Sequence, residues 1–364
     1  MLVKRSGAVL FVAVHMGPYQ SIAPLEREFG RNVVRYLLDG LSKEARQSAG
    51  GEYWDTSRVE TTYGTLDRFF RAESVRAVVI GTSDGVPDGN VEERAMEAAT
   101  AAGVFVFVVE DFPGNYRHRA DRRLDGLFIE DDLMRDVHGS RGVPGERIYC
   151  TGNPRYDALK AVDARELRAK TRGTLGVKQE KVVLWAGQPD GDNSYRTLER
   201  LLPHLPKQEM RLLFKAHPRD TAYQQGRYGR LLSGLSSVRD VTSEKDTSGL
   251  CCAADLVVTQ FSSVGVEASY LGTPTLYVLF DDLGKAYLRQ HKGYDCVPWA
   301  KRDAAFLLDS SCSSVGLHAI IRASLFDEAA RQRIRDNFAA FYGSRPPGTQ
   351  AVAAVIRRTL AGSA

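Results

Sequence analysis

Short apolar runs rich in Val, Ile and Phe alternate with longer amphipathic stretches along most of the chain, a pattern that predicts strand–helix units on parallel sheets. The runs that read as buried strands are Ala8–Val14, Ala77–Gly81, Val104–Val109, Gly126–Ile129, Val182–Ala186, Arg211–Lys215, Leu256–Thr259 and Pro274–Val278. Between two of them, Asn90–Ala102 has helical spacing: Asn90 can cap it, Glu92 and Glu93 sit near its positive end, and Gly103 stops it. The fold class is therefore α/β.

The strands form two groups, one before about residue 155 and one after about residue 178, with the charged, helical stretch Ala158–Leu175 between them. The expected organisation is a first doubly wound domain over 1–160, a linker over 161–178, a second doubly wound domain over 179–345 and a terminal helix over 346–364. In such domains ligands bind beyond the carboxyl ends of the strands. Candidate chemistry is sought there.

Composition narrows the classes. In 364 residues, 43% apolar and 26% charged, 49 Lys and Arg stand against 45 Asp and Glu, a formal charge of +4. That excess is too small and too dispersed for a nucleic-acid binder. The five cysteines show no C-x-x-C pair and no zinc spacing, so they read as cytosolic thiols. The start, Met1-Leu2-Val3-Lys4-Arg5 followed by a short apolar run, lacks a signal-peptide cleavage site, and no stretch approaches 18 apolar residues. The expected location is cytoplasmic, with no membrane span. G-x-G-x-x-G, Walker A and G-x-S-x-G motifs are absent, which disfavours dehydrogenases, P-loop NTPases and common serine hydrolases.

Several strand ends carry reactive residues. After Leu256–Thr259 comes Gln260-Phe261-Ser262-Ser263-Val264-Gly265-Val266-Glu267, a turn into a helix. Free N–H groups at a helix start, two hydroxyls and a glycine suit a phosphate, and Glu267 one turn on can accept from ribose hydroxyls; a plain helix cap with a solvated glutamate is the alternative. After Arg211–Lys215 comes Ala216-His217-Pro218-Arg219, where His217 and Arg219 can donate to a diphosphate. Glu110 and Asp111 leave the strand Val104–Val109 as a carboxylate pair, one of which can act as an acid or base; a capped turn is equally open. His15 ends the first strand and is a candidate base or substrate contact. Thr82-Ser83-Asp84-Gly85 offers sugar or acceptor contacts, or an ordinary turn. The remaining histidines, His118, His138, His204, His291 and His318, read as surface residues.

Taken in order, these segments resemble a known pattern. Asp125-Gly126-Leu127-Phe128-Ile129 through Gly152-Asn153-Pro154-Arg155-Tyr156-Asp157-Ala158-Leu159 is similar to the interdomain segment of non-hydrolysing UDP-N-acetylglucosamine 2-epimerases, and Glu110 and Ser262–Glu267 with Gly272 and Pro274 also resemble that family. The resemblance implies the GT-B fold, two Rossmann-like doubly wound domains facing a central cleft. Two epimerase features are missing: Leu184-Trp185-Ala186-Gly187-Gln188-Pro189 stands where a His-Arg pair is expected, and Phe280-Asp281-Asp282-Leu283-Gly284-Lys285 where Thr-Glu-Arg-Pro-Glu is expected. His217-Pro218 and Phe261-Ser262-Ser263 instead resemble CDP-glycerol glycerophosphotransferases and capsule-type glycosyltransferases.

The resulting expectation is a glycosyltransferase that moves a sugar from a nucleotide-diphosphate sugar, UDP by family, to an acceptor hydroxyl or amine. Gln188, His217, Arg219, Ser262, Ser263, Gly265 and Glu267 would bind the nucleotide sugar, and His15 or Glu110 would take the acceptor proton. No cofactor and no metal is expected, since Asp190-Gly191-Asp192 lies in a glycine-rich loop away from a strand end. The partners are the nucleotide-sugar donor and a small-molecule or glycan acceptor held by the first domain, with a homodimer left open. An epimerase or hydrolase, a glycerophosphotransferase-like polymer enzyme and a non-catalytic sugar-nucleotide-binding relative remain as alternatives.

Overall fold

Runs apolar on both faces fold as parallel strands sandwiched between helices. The computed structural model describes residues 7–233, 235 and 237–362; the Met1–Arg5 start lies outside the described residues. The chain divides into two units, Met1–Asp157 with Arg345–Ala364, and Ala158–Ser344. Each holds one six-stranded, all-parallel sheet with helices on both faces.

The first unit contains β1 (Ala8–Ala13), β2 (Val34–Leu38), β3 (Val75–Ile80), β4 (Phe105–Val109), β5 (Gly126–Ile129) and β6 (Ile148–Cys150), in the order β2-β1-β3-β4-β5-β6. Alternate residues of β1 feed two cores. Val9, Phe11 and Ala13 pack with Tyr36, Phe107, Val352 and Ile356, whereas Leu10 and Val12 pack with Phe69, Phe70, Ala95 and Ala99. Val352 and Ile356 come from the last helix, Gly348–Ala361, and their complete burial is worth on the order of 2 kcal/mol each. Asp157 accepts from the N–H groups of Gly348 and Thr349, both at 2.8 Å, and so satisfies that helix's open start. Gly348 has no room for a side chain: a Cβ would lie 2.9 Å from the Asn153 carbonyl carbon and the Pro154 nitrogen. The terminal helix is thus part of the first unit.

The second unit contains β7 (Lys181–Ala186), β8 (Met210–Lys215), β9 (Val238–Asp240), β10 (Leu256–Thr259), β11 (Thr275–Leu279) and β12 (Phe306–Asp309), in the order β12-β11-β10-β7-β8-β9. The segment expected as a linker folds into this unit. Its helix Ala164–Leu175 is capped by Asp163, stops at left-handed Gly176, and buries Leu175 in the same core as Leu184, Val257 and Cys251. Arg168 and Arg172 on that helix reach Asp255 at 2.9 and 3.4 Å, and Asp255 also accepts from the Val182 N–H at 2.8 Å.

Among the described residues, no helix is long and apolar enough to cross a membrane.

Candidate functional site

In the second unit the chain runs outward from β7 to β8 and β9, and in the opposite direction from β10 to β11 and β12. The point where direction reverses, between β7 and β10, is where an open α/β sheet leaves a crevice for ligand. Register sets Ala186 level with Thr259 on one side and with Lys215 on the other. The segments Gly187-Gln188, Gln260-Phe261-Ser262 and Ala216-His217 therefore leave the sheet side by side.

Each segment is fixed by local bonds. His217 Nδ1 accepts from the Arg219 N–H at 3.1 Å, which makes Nε2 the protonated nitrogen of the neutral ring. The imidazole is half-buried, and Arg219 is exposed. Gly187 packs onto this loop; a Cβ there would sit 3.3 Å from the His217 nitrogen. Ser262 caps the helix Ser263–Tyr270, its hydroxyl accepting from the Val264 N–H at 3.2 Å. The Ser263 hydroxyl makes no hydrogen bond among the described residues. Phe261 stacks on Tyr287 with ring centroids 4.8 Å apart, steadying the turn. At the end of β8, burial pulls the Lys215 ammonium below its ordinary value, and its Nζ donates to the Glu244 carbonyl at 2.6 Å.

Three expected binding residues are buried. Gln188 is buried, its amide donating to Thr259 Oγ1 at 3.3 Å across the reversal point. Glu267 is only 9% exposed and lies near Cys251, whose thiol is pushed up by burial first and by this carboxylate second. Gly265 faces the sheet: a Cβ would lie 2.6 Å from the Tyr277 hydroxyl and 2.9 Å from Thr275 Cγ2. Its missing side chain therefore serves helix–sheet packing. Asp190 and Asp192 belong to a helix start rather than a glycine-rich loop; Asp190 caps the helix Gly191–Leu201 and Asp192 pairs with Arg227 at 2.6 Å.

The first unit has its own reversal point, between β1 and β3. His15 leaves β1 there, half-buried, its N–H donating to Ser83 Oγ at 3.1 Å. Ser83 Oγ donates in turn to Glu92 Oε1 at 2.6 Å, and Glu92 also accepts from the N–H groups of Val14 and Ser83 at 3.1 and 2.9 Å. Burial pushes the Glu92 carboxyl up to about 7, against the pull of those hydrogen bonds, and the charge of Asp111 adds a little to the rise. A cavity of about 240 Å3 opens at this edge, with Thr82, Ser83, Glu92 and Asn115 in its walls. Thr82 donates to Asp111 Oδ1 at 2.7 Å and Asn115 does the same at 2.7 Å, joining the ends of β3 and β4. A larger cavity of about 650 Å3 lies along edge strand β2, away from the strand ends, where Glu26 and Glu73 already pair with Arg46 and Arg35.

Glu110 is not presented at the edge. Its side chain is 1% exposed, accepts from the Tyr116 N–H at 3.0 Å and lies 3.1 Å from His138 Nε2. His138, expected at the surface, is fully buried. It follows Met134 by four residues, so both fall on the inner face of the helix Met134–Ser140. Two functional candidates were not singled out from sequence. Gln260 donates to Asn193 Oδ1 and Thr197 Oγ1 at 3.0 and 2.8 Å, and its own Oε1 is buried without a partner. Glu92 precedes Ala95 by three and Ala99 by seven, and that spacing marks it as an acid on the apolar stripe of its helix.

Comparison with known proteins agrees with this architecture. Residues 119–294, β5 through β11, match the family described as CDP-Glycerol:Poly(glycerophosphate) glycerophosphotransferase. The teichoic acid glycerol-phosphate primase of Staphylococcus aureus is 23% identical over 143 residues, 39% of this chain and 35% of that protein. The teichoic acid poly(ribitol-phosphate) polymerase of Bacillus spizizenii is 27% identical over 183 residues, 46% of this chain and 28% of that protein. The chain thus spans about a third of the length of the curated relatives it matches. Among solved structures, a histidine variant of the wall teichoic acid polymerase TagF with CDPG superposes with TM-score 0.57 at 15% identity, covering 98% of this chain and 89% of that one. The UDP-GlcNAc 2-epimerase of Neisseria meningitidis gives 0.67 at 15% identity, covering 98% and 100%. Anabaena HepE with UDP-glucose gives 0.69 at 14% identity, covering 97% and 99%. The fold is the two-domain α/β fold of GT-B proteins, and the resemblance to both the epimerases and the glycerophosphotransferases is borne out.

Proposed function

We propose that the chain is a transferase whose second unit grips the diphosphate of a CDP-activated polyol phosphate of the CDP-glycerol type, and whose first unit holds the acceptor. The expected UDP-sugar donor gives way to this reading. The observation that carries it is the stretch matched to the glycerophosphotransferases, which contains both His217-Pro218 and Phe261-Ser262-Ser263, at the ends of β8 and β10 on either side of β7.

In this reading His217 Nε2–H, the Ser263 hydroxyl and the positive end of the helix Ser263–Tyr270 hold the diphosphate oxygens, where negative charge grows as the leaving group departs. The acceptor hydroxyl oxygen forms a bond to the phosphorus that carries the polyol. The bridging P–O bond breaks, CMP leaves with the electron pair, and the hydroxyl proton passes to a general base.

A thermal-shift series tests the donor, because a ligand that binds the folded state raises Tm by mass action. CDP-glycerol and CMP are expected to raise Tm, and UDP and UDP-N-acetylglucosamine to leave it unchanged. A shift with the uridine ligands alone would return the function to a UDP-sugar enzyme.

A further inference from the structure

We infer that Glu92 is a positioning residue for the acceptor side, locking His15 in place through Ser83; this rests on the reading of the first unit as acceptor-holding. Glu92 comes from the first turn of the helix Val91–Ala101, capped by Asn90, whose side chain accepts from the N–H groups of Glu92 and Glu93. A single carboxylate there takes three donors from the ends of two strands: the Val14 N–H after β1, and both the N–H and the hydroxyl of Ser83 after β3. Ser83 Oγ, with its proton spent on Glu92, is an acceptor for the His15 N–H.

Those two strands flank the reversal point of the sheet, where a ligand crevice is expected. Glu92 and Ser83 both line the cavity of about 240 Å3 there. Without this tie, the backbone of residues 14 and 15 loses two side-chain acceptors, and the imidazole that follows from it loses its set direction. Glu92 itself is 7% exposed and works through its neighbours. An acid buried at this depth, at the cost of its own desolvation, has a reason to be there in holding three donors at once.

The test compares wild type with Glu92→Gln, Ser83→Ala and the double variant. CMP release from CDP-glycerol with a glycerol-phosphate acceptor gives kcat and the donor KM, and amide hydrogen exchange reports on His15 and Val14. Circular dichroism supplies the folded fraction used to normalise kcat. The expected result is a normalised kcat about 10-fold lower in each single variant, donor KM within about 2-fold of wild type, and faster exchange at His15 in both. The double variant should be no worse than the weaker single, because both changes cut one chain of bonds. Unaltered exchange at His15, or independent additive losses, would overturn the inference. Faster exchange in the variants, together with wild type that never releases CMP, would uphold the tie and contradict the transferase reading.

Discussion

Replacing Glu92 by Gln removes a carboxyl that burial holds near 7, up from an ordinary value of 4.5. A folded-state pKa above the unfolded one means the folded chain binds the proton more tightly. Glu92 therefore favours folding most at low pH, and this contribution is lost as pH rises from about 4.5 through 7. At 1.36 kcal/mol per pKa unit, wild type should lose about 2.5 kcal/mol between pH 5 and pH 8 relative to the variant, whose amide does not titrate. Urea unfolding of both proteins across that range measures the difference, and subtraction removes titrations common to both. The change should be concentrated below pH 7 and level off above it. A wild-type minus variant difference that stays flat from pH 5 to 8 would refute the claim that burial outweighs the three hydrogen bonds and raises this carboxyl.

Asp255→Ala leaves Arg168 and Arg172 facing carbonyls without their carboxylate and strips the Val182 N–H of its acceptor; with Arg168 partly solvated, the loss should be about 3 kcal/mol, read as a Tm drop of roughly 10 °C. Gly265→Ala should lower Tm by a few degrees through its clash with Tyr277, at a cost of about 2 kcal/mol, and adding Tyr277→Phe should restore part of it while nucleotide affinity holds. Lost affinity at unchanged Tm would instead return Gly265 to a phosphate-facing role. His217→Ala should weaken binding of CMP and CDP-glycerol by about 10- to 100-fold in calorimetry with circular dichroism unchanged, as expected for one lost hydrogen bond to a charged group.

The buried interior of both sheets was legible as continuous apolar runs. Every strand that the hydrophobic pattern missed, β2, β6, β9 and β12, stands at the outside of its sheet. One face or edge of such a strand meets solvent or a polar neighbour, so Val34-Arg35-Tyr36 and Val238-Arg239-Asp240 interrupt the run that marks a central strand. His217, Ser262 and Ser263 could be placed at strand ends from the sequence because each follows a recognisable strand. The roles of Gly265, Glu110 and His138 were not visible, because each depends on a partner far along the chain or on a side chain packed over it. Gly265 needs Tyr277 on the next strand, and Glu110 meets a histidine 28 positions away. Charge on the surface and charge on an apolar helical stripe look alike until the stripe is traced, as Glu92 with Ala95 and Ala99 demonstrates.

The most direct test of the central claim offers the protein CDP-glycerol and UDP-N-acetylglucosamine together with a glycerol-phosphate acceptor and identifies the nucleotide released by chromatography. The account predicts CMP, formed in step with glycerol phosphate joined to the acceptor, and its loss in His217→Ala. Release of UDP, with CDP-glycerol recovered intact, would contradict it.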